Sequence, residues 1–368
     1  MSHPAHGSRR VPLVLFLLFI TACGGQQAPG AVEPEPRAST STPREPSEVL
    51  AGEPSASEPS ASDPLEDRTI ASLRLGGGPD LPTAAFGSLW VIAVDGPLMN
   101  DGTEPAVHRI DPETNEVVAS ISLPGRLCQG IGASPEAIWA CGPDGLVRID
   151  PNENAIVATV DLPAALVVSR IAYGAGSVWA FATSGVAADT VVRVDPATNA
   201  VTATIPLEHA AGTMAFGFDA LWVTSPTDDL LLRIDPATDT VEEWTTGIEG
   251  ASWVGISDVA VWVSLLGEEG RTAEEGEPTV ARLDPATGDV VALIATGGSV
   301  EISGGLAPTA DGIWVRAPYP FLVRIDPATN EVVDRLDEPP GGGDVTFAFD
   351  SLWVTTERGE LIRMEPGV

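Results

Sequence analysis

Residues 83–123 read TAAFGSLWVIAVDGPLMNDGTEPAVHRIDPETNEVVASISL, and their pattern decides the fold. Trp90 stands inside one apolar run, Arg109-Ile-Asp-Pro112 closes a second, and Glu116 to Leu123 alternates with a period of two. A period of two belongs to a strand, because successive side chains leave opposite faces of the pleat. The stretch predicts four strands: A at 83–86, B around Trp90, C ending in Arg-Ile-Asp, and D from Glu116 onward. Asp-Pro-Glu-Thr-Asn, between C and D, is turn chemistry. The Asp carboxylate accepts backbone N–H groups, Pro sets φ, and Asn tolerates the left-handed region.

The stretch recurs. An apolar residue, Trp, then Val or Ala is found at Trp90, Trp139, Trp179, Trp222, Trp262, Trp314 and Trp353, 39 to 52 residues apart. Arg-apolar-Asp-Pro begins at Arg109, Arg148, Arg193, Arg233, Arg282 and Arg324, with a degenerate copy in Arg363-Met-Glu-Pro366. No segment carries the 3.6-residue period of a helix. Four antiparallel strands repeated at this interval are a propeller blade. The seventh copy stops after strand C, while Thr69-Ile-Ala-Ser-Leu-Arg-Leu75 matches the strand D of blade 1. The expected fold is therefore an all-β, seven-bladed β-propeller of four-stranded antiparallel blades. Its ring is closed by the N-terminal strand completing the last blade.

Within that ring the seven Trp are expected to be inter-blade core. A column of small residues (Ala85, Gly130, Ala172, Ala215, Gly255, Gly305, Ala348), each followed by a large apolar one, is expected to line strand A where blades converge. The repeated Arg is expected to pair with acids on the outer strands.

Ahead of the repeats lie two other segments. Residues 1–22 carry Arg9 and Arg10, an apolar run from Val11 to Ile20, and Ile20-Thr21-Ala22 before Cys23. The run is too short to span a bilayer and reads as a signal-peptide core. The closing tetrapeptide resembles the lipobox of bacterial lipoproteins. That resemblance implies an acylated Cys23 as the first mature residue, anchored in the lipid membrane of the cell envelope, in the outer membrane if the organism has two. Residues 23–67 are rich in Pro, Ser, Ala and Glu, with almost nothing to bury. They read as a disordered tether with a mean reach of roughly 35 Å, leaving 68–368 as the propeller domain.

Composition narrows the partners. There are 19 basic residues, all Arg, against 52 acidic ones, a net charge of −33. With no basic stripe to displace phosphate counterions, nucleic acid is excluded as a partner. Cys128 and Cys141 flank a turn in blade 2, so a cross-strand disulfide is expected in an exported protein. Too few Cys and His are present for a zinc pattern.

Antiparallel order puts the A–B and C–D turns on one face and the B–C and D–A connections on the other. The second face carries insertions at 95–105, 184–189 and 266–278. Variation among otherwise equal repeats marks the face free to specialise. Near it lie Arg126, Gln129, Arg170, His209, Trp253, Glu301 and Asp344, the candidate ligand residues around the channel mouth.

The pattern G-S-L-W-V followed by V-x-R-I-D-P-x-T-N-x-V-V-A-x-I resembles the YVTN/NHL-like bacterial propellers, including streptogramin B (virginiamycin B) lyase-like proteins, over residues 69–368. The resemblance implies a propeller; for those lyases it also implies a His base, a nearby Glu and Mg²⁺. Of the two His in the folded part, His108 lies on an outer strand and His209 near the mouth, and neither sits in that arrangement. Catalytic residues are therefore not carried over. The reading favours a lipid-anchored binding module for an envelope protein, peptide or glycan, with no cofactor. The alternative is a small-molecule lyase or hydrolase using a divalent metal in the channel, signalled by carboxylates converging around Glu301 and Asp344.

Overall fold

A computed structural model describes residues 65–94, 104–124, 130–142, 145–162, 165–166, 170–183, 188–246, 248–266, 277–297, 305–309, 311–316, 321–337, 343–356 and 358–367. Cys23, Arg126, Cys128, Gln129 and Glu301 lie outside these described residues, as does most of each insertion.

The described chain is seven antiparallel sheets and one helical turn at Leu65–Arg68. Blade 1 comprises strands Gly78–Ala85, Ser88–Val94, Ala106–Asp111 and Glu116–Ser122, in A to D order. Blade 2 follows with Ile131–Ala133, Ile138–Gly142, Gly145–Asp150 and Ala155–Asp161. Blade 3 has Ala172–Gly174, Ser177–Thr183, Ala188–Asp195 and the long Ala200–Ala211. Blade 4 has Met214–Gly217, Ala220–Ser225, Leu230–Asp235 and Thr240–Thr246, and blade 5 has Ala251–Ile256, Val261–Leu265, Val280–Leu283 and Val290–Ile294. Blade 6 has Leu306–Pro308, Ile313–Arg316, Leu322–Asp326 and Glu331–Leu336. One addition was not expected: Ala165–Leu166 also pairs with strand B of blade 3.

The last blade closes as the repeat predicts. Val345–Ala348, Ser351–Thr356 and Glu360–Met364 supply A, B and C, and Thr69–Arg74 pairs with Glu360–Met364 as D. Leu73 lies opposite Leu361, and the Glu365 N–H donates to the Arg68 carbonyl at 2.9 Å. A ring zipped this way keeps its strand edges short.

Turn chemistry builds the corners. In each Asp-Pro turn the Asp carboxylate receives N–H groups two residues on, as Asp111 does from Glu113 at 2.7 Å. The closing residue takes positive φ: Asn115, Asn154, Asn199, Asp239, Gly288 and Asn330. The A–B hairpins at Phe86-Gly87, Ala175-Gly176, Phe218-Asp219 and Phe349-Asp350 have positive φ at both central residues. That is the type I′ geometry whose twist matches the flanking strands.

These hairpins correct the small-residue column. Phe86 and Phe349 are turn residues, so Ala85 and Ala348 sit two residues past the position opposite Trp, which is Thr83 in blade 1 and Thr346 in blade 7. Gly130 and Gly305 sit two residues before it, because Gly132 and Ala307 are the true partners of Trp139 and Trp314. Only Ala172, Ala215 and Gly255 stand opposite their Trp. The tight spacing itself is real: a Cβ on Gly132 would lie 2.0 Å from the Ile171 carbonyl of the next blade.

All seven Trp are inter-blade core, none more than 3% exposed. Each packs into the next blade: Trp90 with Ile138 and Ala140, Trp139 with Val178, and Trp353 with Leu89 and Val91 across the closure. Burying one such ring contributes roughly 4–6 kcal/mol of gross transfer energy.

The repeated Arg is not mainly an acid partner on the outer surface. Its guanidinium lies 5.0–5.8 Å from the Trp of its own blade in six blades and reaches the next blade's turn in five of them. Arg109 Nη1 donates to the Pro151 carbonyl at 2.6 Å and to Asn154 Oδ1 at 3.0 Å. Arg148, Arg193, Arg282 and Arg363 repeat this, Arg363 latching blade 7 to Pro112 and Asn115 of blade 1. Glu136 and Asp239 add carboxylates only for Arg148 and Arg193. Where the next turn ends in Gly288, which has no side-chain acceptor, Arg233 turns to Glu242 and stacks on Trp244. At the seam between blades 6 and 7, Arg68 grips Asp334 through two bonds of 2.5 and 3.0 Å.

Candidate functional site at the channel mouth

Each strand A begins at the B–C/D–A face, and its register against strand B defines one layer around the axis. The layer lies two residues from the Trp pair, opposite Ile92, Cys141, Phe181, Thr224, Ser264, Arg316 and Thr355. Its members are Asp80, Gly130, Arg170, Thr213, Trp253, Gly305 and Asp344. The strand-B residues hold this layer in place. Thr224 Oγ1, Ser264 Oγ, Thr355 Oγ1 and the Cys141 sulfur accept the N–H of Thr213, Trp253, Asp344 and Gly130 at 2.8–3.1 Å.

Two bulges aim side chains inward. In blade 1 the register shifts between Asp80 and Thr83, and Leu81 takes φ +47°, an uncommon conformation for a bulky residue. In blade 5 it shifts between Ala251 and Val254, and the Trp253 indole packs against both the blade 5–6 core and the blade 1–2 core containing Leu81 and Ile131. Trp253 thus bridges the axis.

A second bridge is ionic. Arg170, from blade 3, pairs through Nη2 with Asp344 Oδ2 of blade 7. Asp344 is fully buried, and its Oδ1 accepts the Val345 N–H at 2.8 Å. Its carboxylate fills the notch left by Gly305, where a Cβ would come within 1.5 Å of Oδ1. Arg316, only 1% exposed, lies close enough to act on the same carboxylate. Asp80 stands beside Asp344, its Oδ1 receiving the Leu81 N–H at 2.9 Å. It keeps some exposure, yet burial is the first cause pushing its carboxyl up to about 7, with the Asp344 charge second; the Leu81 N–H and Arg170 pull the other way. Burial also raises Asp344, against Arg170, the Val345 N–H and Arg316.

Of the residues singled out from the sequence, Arg170, Trp253 and Asp344 belong to this layer. His209 lies on strand D of blade 3, at the seam with blade 4, with Nδ1 3.3 Å from Asp228 and Nε2 3.2 Å from Glu243. His108 is on strand C, bonded to Ser120 at 2.9 Å, and burial lowers its pKa. Asp80 and Arg316 were missed. Arg316 had a signal, since two residues after Trp the other blades carry Ile, Cys, Phe, Thr, Ser and Thr.

Converging carboxylates at the mouth are present, as Asp80 and Asp344. They do not fit a divalent cation as arranged, because both Asp344 oxygens are taken by N–H donors and two guanidiniums stand nearby. Among the described residues no three His, Cys, Asp or Glu side chains group as a metal site.

Comparison by sequence finds no matching protein family and no matching curated protein. By structure, the chain is similar to the WD40 domain of Pan2 from Neurospora crassa, with a TM-score of 0.58 at 8% identity over 81% of this chain and 96% of that one. At that identity the likeness shows the propeller fold and nothing of activity.

Proposed function

We propose that this propeller is an interaction module of the cell envelope, tethered through an acylated Cys23, that engages an envelope protein, peptide or glycan with its B–C/D–A face. The observation that carries the reading is the self-satisfied mouth. Arg170 pairs with Asp344, and Trp253 packs across the axis, so the inner layer is spent on the chain's own contacts. Recognition then falls to the loops around it, which vary between blades while the opposite corners repeat. A Cys128–Cys141 disulfide belongs to the same proposal, fixing the entry to blade 2.

The test is site-specific photocrosslinking in cells producing the full chain. A crosslinker at Thr227, in the B–C turn of blade 4, is expected to trap a partner. One at Ala328, in the C–D turn of blade 6, is expected to trap none. Equal trapping from both would overturn the face assignment, and Cys23→Ser is expected to release the protein from membranes.

The second reading, a metal-dependent lyase or hydrolase, is favoured by one observation: two carboxylates meet at the mouth, one of them titrating near neutrality. It requires Arg170 to leave Asp344. A rise in the melting temperature of the full chain with millimolar Mg²⁺ would move the balance toward it.

A further inference from the structure

The ring has one seam with no covalent continuity inside its blade, where Thr69–Arg74 pairs with Glu360–Met364. At the mouth layer beside that seam, Asp80 lies opposite Ile92 in blade 1 and Asp344 opposite Thr355 in blade 7. Their strands A pack together, so the two carboxylates take neighbouring places, and the Asp344 charge acts on Asp80. Each carboxylate is pinned by the N–H of its own following residue, at 2.9 and 2.8 Å. Asp344 is further held by the Gly305 notch and by its backbone bonds to Thr355, so it has little room to retreat. Asp80 is held by the Leu81 bulge. One guanidinium, Arg170, arrives from the far side of the ring and ends on Asp344.

We propose that Asp80, Asp344 and Arg170 form a pH-sensitive lock on the closure between blades 1 and 7, closed when one proton is held on the carboxyl pair. With one proton on the pair, a single negative charge remains and Arg170 satisfies it. When the pair loses that proton, two pinned carboxylates repel across the seam, and the guanidinium bonded to Asp344 cannot serve both equally. The charged groups acting on the pair are Arg170 from blade 3 and Arg316 from blade 6. The lock is independent of what the outer face binds.

The sign follows from linkage. The Asp80 carboxyl is raised from 3.8 to about 7 in the folded chain, so the folded state holds a proton that the unfolded chain has released. That stabilisation is complete below the unfolded value and is lost as pH rises through the folded one. The expected result is that Asp80→Asn, which mimics the protonated form, melts above wild type at pH 8, with the gain shrinking to nothing near pH 4. A gain that stays constant with pH, or a loss at pH 8, would overturn the proposal. Should the variant fold poorly, carboxyl-carbon NMR of Asp80 in the intact wild-type chain reads the same group. Its midpoint is expected to fall in Asp344→Asn and to rise in Arg170→Gln. Midpoints that do not move, or that move together, would contradict a shared lock.

Discussion

Arg282 makes four contacts that describe the repeat at the scale of one residue. It pairs opposite Trp262 in the sheet, lies over that ring at 5.3 Å, and donates to Pro327 O at 2.6 Å and Asn330 Oδ1 at 2.9 Å in the next blade. Hydrogen bonds from a charged donor are worth about 1.5–3 kcal/mol each when both partners are held. Arg282→Ala is expected to destabilise the fold by about 2–3 kcal/mol and Asn330→Ala by about 1 kcal/mol, with the double mutant costing less than the sum. Urea melts of the four proteins check this, and strict additivity would show that the latch does not exist. The Arg was visible in the sequence, but its partner was not. A spacing along one chain cannot say that the Asn ending one turn receives the Arg of the preceding blade. The Trp column was easier to read, because seven apolar giants at equivalent positions have nowhere to go but between sheets.

At the scale of the strand, alternation and turn residues carried most of the information. Strands B, C and D were legible from period two and from Asp-Pro-x-Thr-Asn corners, whose left-handed final residue is a local property. Strand A was read less well. It is short, lacks a charged punctuation mark, and carries bulges in blades 1 and 5 that shift its register. Because side chains alternate with a period of two, the column's two-residue offsets in blades 1, 2, 6 and 7 leave it on one face and change only which small residue stands opposite Trp. The blade 1 bulge places Leu81 beside Asp80, and Asp80 was missed there, whereas Arg170, Trp253 and Asp344 were found by simple proximity to the D–A face. The closing strand shows the other extreme. Its match to blade 1 was plain, and Leu75, only 7% exposed, packs with Leu89, Val91 and Trp353. Leu75→Ala is expected to cost about 2–4 kcal/mol, and to lower the stability of the whole ring in one transition. An early, separate transition in a urea melt monitored by Trp fluorescence would argue that the strand is an appendage.

For the whole molecule, closure must work against a net charge of −33, which by itself favours expansion. The counterweights lie at three radii. Trp side chains and Arg latches join neighbouring blades, Thr69–Arg74 and the Arg68–Asp334 pair close the last seam, and Trp253 with Arg170–Asp344 cross the axis. Fold was legible at this scale because a propeller repeats its instructions. Ligand identity was not, because the face that varies is by nature the face that does not repeat.

The most direct test of this architecture is native-state hydrogen exchange on the full chain, comparing the amides of Thr69–Arg74 with those of Glu360–Met364. If the N-terminal strand closes the ring, the hydrogen-bonded amides of both segments will exchange through the same global opening, with matching free energies. Fast exchange across 69–74 while 360–364 stays protected would contradict the closed ring.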